Sequence, residues 1–245
     1  MPPYNFGGRI VEVEIARSPR ARRVTLRADA VRGIVRVAVP PRARLAEADR
    51  IVAEHRGWIA AKVAGWPNAV PFVPGATIPF DSGSLTLDWA AHHPRGVRRA
   101  SAADGAPDEA GGEAAGRLVI GGPHATVPGR TRRWLRAAAL ADLGPATLAL
   151  AAGLGRTVTV AVRDPRSRWG SCSSSGVISF SWRLILAPPA VRQSVVAHEV
   201  AHLVHANHGR DFWRLAETLT IGDLAAARGW LKANGAALHW VGREV

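Results

Sequence analysis

Val195-Val196-Ala197-His198-Glu199-Val200-Ala201-His202-Leu203-Val204-His205-Ala206-Asn207-His208 is the stretch from which the rest of the chain is read. On a helix, His198 and His202 project from one face, a turn apart. Two imidazoles so placed can grip one Zn²⁺. Glu199 lies beside His198 on the helical wheel. From there a carboxylate reaches a metal-activated water without being a ligand, as a general base must. At about 3.6 residues per turn, His208 would face away from the other two if the helix continued. The helix must therefore end before it. Asn207, which tolerates the left-handed conformation, and Gly209 supply the expected stop. A turn there returns His208 to the metal as third ligand and leaves a fourth position open.

The surroundings favour a metal. Leu184-Ile185-Leu186-Ala187-Pro188-Pro189 reads as a strand end followed by a helix start, with proline near the first helical position. Val191, Val195, His198 and His202 form one stripe, and Val196, Val200 and Leu203 an adjoining apolar one, which predicts a buried helix. Buried imidazoles and a buried carboxylate need partners, and a metal supplies them. A helix carrying core histidines without metal is the competing reading. Glu217, on the following helix, competes with His208 as third ligand. His205 is expected at the rim or behind the ligands. Asp211 either accepts from the free ring nitrogen of His208 or caps the next helix.

Length and composition set the bounds. A chain of 245 residues with 47% hydrophobic content buries a proper core, in one large domain or two small ones. No uncharged run of apolar residues is long enough to predict a membrane span. The N-terminal residues lack the apolar core of a signal peptide. Cys172 is the only cysteine, so no intrachain disulfide forms, which fits a reducing cytoplasm. The formal net charge is +13, and residues 1–70 carry 13 Lys and Arg against 6 Asp and Glu. That charge suits nucleic acid or another acidic surface as partner; it equally suits an arginine-rich composition with no such partner.

Alternation predicts strands at 9–15, 22–28 and 34–39, read as an antiparallel meander, then a helix from Leu45 to about Val63 with Ile51, Trp58 and Ile59 on its apolar side. Residues 72–80 and 85–89 form a second small β unit turning at Asp81-Ser82-Gly83. Residues 92–116 lack periodicity and read as a loop. A strand at 118–122 follows, then a helix from Arg130 to about Gly153 with an irregularity at Gly144-Pro145. Strands at 158–162 and 177–183 come next, and two helices lie at 211–219 and 224–233. The expected organisation is an N-terminal β-rich unit over 1–90, a loop or insertion over 91–117, and a catalytic domain over 118–245. The fold class is α+β: an N-terminal antiparallel β/α unit, then the domain holding the His-Glu-x-x-His helix.

Several stretches together resemble the YgjP-like metallopeptidase family, which is related to the SprT-like zincins. They are Arg168-Trp169-Gly170-Ser171-Cys172, Ser181-Trp182-Arg183-Leu184-Ile185-Leu186-Ala187-Pro188, His198-Glu199-x-x-His202 with His208, and Asp211-Phe212-Trp213. Arg22-Arg23-Val24-Thr25-Leu26-Arg27, Trp58-Ile59, Gly75-x-x-Ile78-Pro79-Phe80 and Trp230-Leu231-Lys232-Ala233-Asn234-Gly235 extend the resemblance over nearly the whole chain; residues 91–117 depart from it. The resemblance implies a zincin-like catalytic domain and a zinc-dependent peptidase, and leaves the substrate open. The histidine spacing copies the metzincin motif, but metzincins need a Met beneath the zinc and Met1 is the only one here.

The expected chemistry is hydrolysis of a peptide or protein substrate, with Glu199 taking a proton from the metal-activated water and passing it to the leaving amine. The oxyanion needs a further donor. Arg168, Arg183 and a backbone N–H of the Trp169–Ser171 loop are the candidates, and Trp169 is expected at the substrate cleft. Strand 177–182 is expected to pair with an extended substrate. The alternatives are a protease acting on DNA- or RNA-bound proteins, reached through the basic N-terminal unit, and a zinc amidohydrolase on small molecules. Cys172 is read as a packed thiol or as a thiolate capping the metal.

Overall fold

The computed structural model describes residues 4–100 and 115–244. The chain divides into two compact units, residues 1–68 and 69–245.

The first unit is a four-stranded sheet with two short helices. Its strands are β1 (Tyr4–Phe6), β2 (Arg9–Arg17), β3 (Thr25–Asp29) and β4 (Ile34–Val39), in the order β1-β2-β4-β3. The meander expected from the sequence does not form. β2 runs parallel to β4, with Glu12 opposite Ile34 and Arg17 opposite Val39, while β3 lies antiparallel on the far side of β4. The reason is burial: Val35, Val37 and Val39 make β4 the most apolar strand, so it takes the centre with β2 and β3 flanking it. The expected single helix is two, α1 (Leu45–Glu54) and α2 (Arg56–Ala64). The break at His55 buries Ile59 and Val63 and leaves Trp58 exposed rather than on the apolar side.

The second unit carries two sheets and four helices among the described residues. β5 (Thr77–Phe80), β6 (Gly83–Trp89), β7 (Val97–Arg99) and β8 (Ala115–Ile120) form one sheet in the order β5-β6-β8-β7, with β6 and β8 parallel. Residues 70–90 therefore belong with this unit, not with the N-terminal one. Part of the expected loop is strand: Val97 pairs with Ile120. Its residues 101–114 lie outside the described residues.

The other sheet holds β9 (Thr159–Arg163), β10 (Gly170–Cys172) and β11 (Val177–Ser181), in the order β10-β11-β9. β11 is thus paired on both sides and offers no edge to a substrate; the outer strands are β10 and β9, and of these β10 borders the cavities beside the histidines. After Ser181 the chain tightens into a 3-10 turn over Trp182–Leu186, which buries Trp182, Leu184, Ile185 and Leu186 where strand was expected. The helices are α3 (Val127–Gly153), α4 (Pro189–Ala201), α5 (Arg210–Leu219) and α6 (Leu224–Leu238). With the short turn before it, α3 is the one described helix long and apolar enough to cross a bilayer. Here it buries Leu135, Ala139, Leu143, Thr147 and Ala151 against α4, β9 and the 3-10 turn. It runs unbroken through Pro145, because both Pro145 and the residue whose carbonyl it cannot serve, Ala141, face solvent.

Candidate metal centre

α4 starts with Pro189 at its first turn and is buried through Val191, Val195, Val196 and Val200, packed among α3, α5, α6 and β10. That packing fixes the direction of His198 and Glu199. The helix ends at Ala201, earlier than the Asn207 stop expected from the sequence. His202 caps it and keeps near-helical torsions, so its ring stays one turn from His198, with ring centroids 5.0 Å apart. The next turn tightens: Leu203 N–H donates to the Val200 carbonyl at 3.0 Å and Val204 N–H to Ala201 at 3.1 Å. No left-handed residue is needed, and Asn207 does not adopt that conformation.

The turn returns His208 to the helix. Its Nε2 lies 3.1 Å from His198 Nε2, and the ligand atoms of His198, His202 and His208 all fall within 4.8 Å of one another. His202 Nδ1 pairs with the His205 carbonyl at 3.1 Å, which leaves Nε2 to face the other two rings. His205 thus acts through its backbone. Beneath the rings lies Phe212, fully buried, with its centroid 4.9, 4.6 and 4.6 Å from those of His198, His202 and His208. Trp213 adds a second ring beside His198 and His208. This floor gives Phe212-Trp213 its place under the cluster. Burial pushes His198 down to about 4, helped by its neighbours His202 and His208, so the ring is neutral and free to donate a lone pair.

The cluster suits a metal. Three ring nitrogens converge without a carboxylate among them. Two nitrogens bound to one tetrahedral Zn²⁺ at about 2.05 Å lie roughly 3.3 Å apart, close to the spacing of His198 and His208. Glu217 is exposed and outside the cluster. Asp211 is neither the helix cap, which is Gly209, nor a partner of His208; it pairs with Arg214 at 3.2 Å.

Glu199 is buried beside this group, and burial pushes its carboxyl up to about 7 against the opposing pull of Arg168. Gly170 lies against it: a Cβ there would come within 2.5 Å of Glu199 Oε1. β10 can run past the carboxylate only because position 170 has no side chain.

Two cavities flank Glu199 and His198. One, of about 260 Å³, has apolar walls from Trp169, Val195, Leu224 and Leu231, with Arg168 and Arg228 also lining it. The other, of about 430 Å³, runs along Ser171–Ser174 past His202 and His208. Arg168 and Trp169 both line the smaller cavity, and Arg168 the larger one as well. Trp169 leans on His239, with centroids 5.1 Å apart, and on Gly235, where a Cβ would meet its ring at 2.9 Å.

Arg183 does not line either cavity. It pairs with Asp164 and lies over the Trp182 ring at 4.4 Å. Arg228, missed in the sequence, takes up the cationic position: it lines the smaller cavity and stacks on Trp213 at 4.2 Å. The signal was present as Leu224, Arg228 and Leu231 on one face of a helix, but nothing in sequence ties that face to His198. Cys172 borders the larger cavity, half-buried, its thiol near the Ser173 carbonyl and outside the histidine cluster.

A family model described as YgjP-like, metallopeptidase domain, matches residues 22–234. No curated protein and no solved structure matches the chain.

Proposed function

Because the chain belongs to the YgjP-like metallopeptidase family, we propose that it is a zinc-dependent peptidase with Glu199 as general base. The observation that carries this reading is the convergence of three imidazoles beside a buried carboxylate that is not one of them. His198, His202 and His208 would hold the ion. When bound, zinc supplies Lewis acidity: it lowers the pKa of water toward 7 and polarises a carbonyl. Glu199 takes the proton of the attacking water and delivers it to the leaving amine. Its burial holds it near neutrality in affinity, as a group that must first accept and then give requires.

The peptide lies along the outer edge of β10, whose Gly170 borders both cavities and whose Ser171 and Cys172 border the larger, so recognition is largely through main-chain hydrogen bonds. The apolar cavity under Trp169, Leu224 and Leu231 takes one substrate side chain. Arg228, with Arg168, supplies the positive charge that the developing oxyanion needs.

Metal analysis and proteomic cleavage profiling test the reading. Wild type carries about one zinc per chain and Glu199→Gln keeps it, while hydrolysis falls by about 10²–10⁴-fold or more; His198→Ala/His202→Ala loses the metal. A Glu199→Gln variant at wild-type rate, or full zinc in the double variant, would sink it. Cleavage of small amides with no protein substrate would turn the reading to the amidohydrolase alternative. For the oxyanion role, Arg228→Met is expected to lower kcat by about 10²-fold with KM little changed and Arg228→Lys to recover part of it. An unchanged kcat removes Arg228 from the chemistry.

A further inference from the structure

Outside the metal centre, the strongest unexplained feature is the charge of the first unit. From Ile15 to Ala46 the chain has nine arginines and one acid, Asp29. The sheet register sorts them. Asp29 pairs opposite Ile34, at one end of β3 and β4, whereas Arg17 lies opposite Val39 and Thr25 opposite Ala38, at the other. The loops 18–24 and 40–44 both leave the sheet at that second end. They carry Arg20, Arg22, Arg23, Arg42 and Arg44, all exposed. Arg17 ties the end together: its guanidinium donates to the carbonyls of Pro41 at 2.6 Å and Ala43 at 2.9 Å, and Ser18 N–H donates to the Val39 carbonyl at 2.9 Å. Among the described residues, Arg20, Arg22, Arg23 and Arg42 make no ion pair. The nearest acid in sequence, Glu47, turns back to the Arg44 backbone N–H at the start of its own helix.

Like charges gathered at one end of a sheet repel, and an anion that meets them relieves that repulsion. The chemistry of the patch narrows the anion. No aromatic residue lies in either loop, so there is no platform on which single-stranded bases could stack. No large apolar side chain is interleaved, as insertion into a lipid surface would need. Beyond Ser18 the loops have no hydroxyl or amide side chain for adenine or a ribose 2′-hydroxyl, and guanidinium's bidentate base partner is guanine, so the contacts open to every sequence are those to phosphate. What remains is unpaired guanidinium against a dense row of phosphates. We propose that this end of the first unit, built from the 18–24 and 40–44 loops, binds the phosphate backbone of duplex DNA without sequence preference. Affinity then comes from counterion release and falls steeply with salt.

The test is fluorescence anisotropy of the full chain with a labelled duplex of about 20 base pairs, titrated from about 50 to 200 mM salt. Binding is expected, with a log–log salt slope of about −0.9 per phosphate contacted. The variant Arg20→Gln/Arg22→Gln/Arg23→Gln/Arg42→Gln is expected to lose affinity by at least about tenfold and to flatten the slope by up to about 3.6. The same four positions changed to Lys keep affinity within a few-fold, since a phosphate contact needs only the charge. A control that removes four exposed charges from the second unit, Arg95→Gln/Arg133→Gln/Arg156→Gln/Lys232→Gln, leaves the slope within about one unit of wild type. Equal losses in patch and control variants would reduce the effect to net charge and overturn the proposal. So would an absence of binding at the lowest salt, or tighter binding to single-stranded RNA or to vesicles containing phosphatidylserine than to the duplex. Thermal melts of each variant keep a folding defect distinct from lost binding.

Discussion

Gly170 shows how much a single position decides. The Arg-Trp-Gly-Ser-Cys stretch could be flagged in sequence, but not the reason for its glycine, which is the carboxylate of Glu199 packed against its Cα. Gly170→Ala is expected to keep its metal content and fold yet lower hydrolysis by about 10²-fold, because the methyl forces the carboxylate off its position. Equal activity and a Glu199 side chain unmoved in the variant's structure would contradict this. Arg183 is the opposite case. It sits in a recognisable motif beside the metal helix in sequence, yet its partner Asp164 holds it away from both cavities. Sequence neighbours share a stretch of chain; only the next residue's direction decides which surface they share.

At the scale of elements, α4 holds the site and Arg192 holds α4. This arginine is almost wholly buried. It donates to Asp142 on α3 at 2.8 and 3.0 Å, to Asp81 in the β5–β6 turn at 2.9 Å, and to the Ala187 carbonyl at 2.8 Å. One guanidinium thus ties the metal helix to a neighbouring helix and to a sheet. Its position inside an apolar helix gave no sign of this, since a charged residue at that spacing reads as a solvated face. Arg192→Ala leaves a cavity and two unmatched carboxylates, and is expected to cost about 3 kcal/mol. The measurement is the urea midpoint of unfolding; a midpoint unchanged from wild type would mean that the clamp is redundant. The early end of α4 belongs to this scale too. An Asn207 stop was reasonable from residue preference, but 3-10 hydrogen bonds from Leu203 and Val204 end the helix a turn and a half sooner and still return His208 to the cluster.

For the molecule as a whole, the second unit closes at its C-terminal end through His239, which follows α6 and lies on Trp169. Burial pushes this imidazole down from 6.5 to about 4; Arg183 adds to the effect and Asp164 opposes it. Below pH 6.5 the unfolded chain binds a proton that the folded chain refuses until about pH 4. The unfolded state therefore gains as pH falls, and stability drops across that window. His239→Phe keeps an aromatic ring against Trp169 and removes the proton, so it is expected to lose less stability than wild type between about pH 7 and 5. Urea denaturation at both pH values checks this, and parallel losses in the two proteins would assign the acid sensitivity to other groups. The architecture is also a matter of the whole. Residues 70–90 read as companions of the N-terminal strands, but the parallel pairing of β6 with β8 makes them part of the second unit.

The sequence by itself determined the family and the chemistry-bearing helix. His198, His202 and Glu199 follow from helical spacing, a local geometry that backbone hydrogen bonds set whatever surrounds them, and the position of most strands and helices follows from hydrophobic periodicity for the same reason. Tertiary structure decided everything that depends on which surfaces meet. It gave β4 the centre of the first sheet, because the most apolar strand gains most from neighbours on both sides. It buried β11 between two partners and left β10 as the outer strand beside the histidines. It put Arg228 and Phe212, from helices later in the chain, at the histidine cluster, and sent Arg183 to Asp164. None of these contacts has a period along the chain, so none could be read from it; each is fixed by the packing of elements distant in sequence.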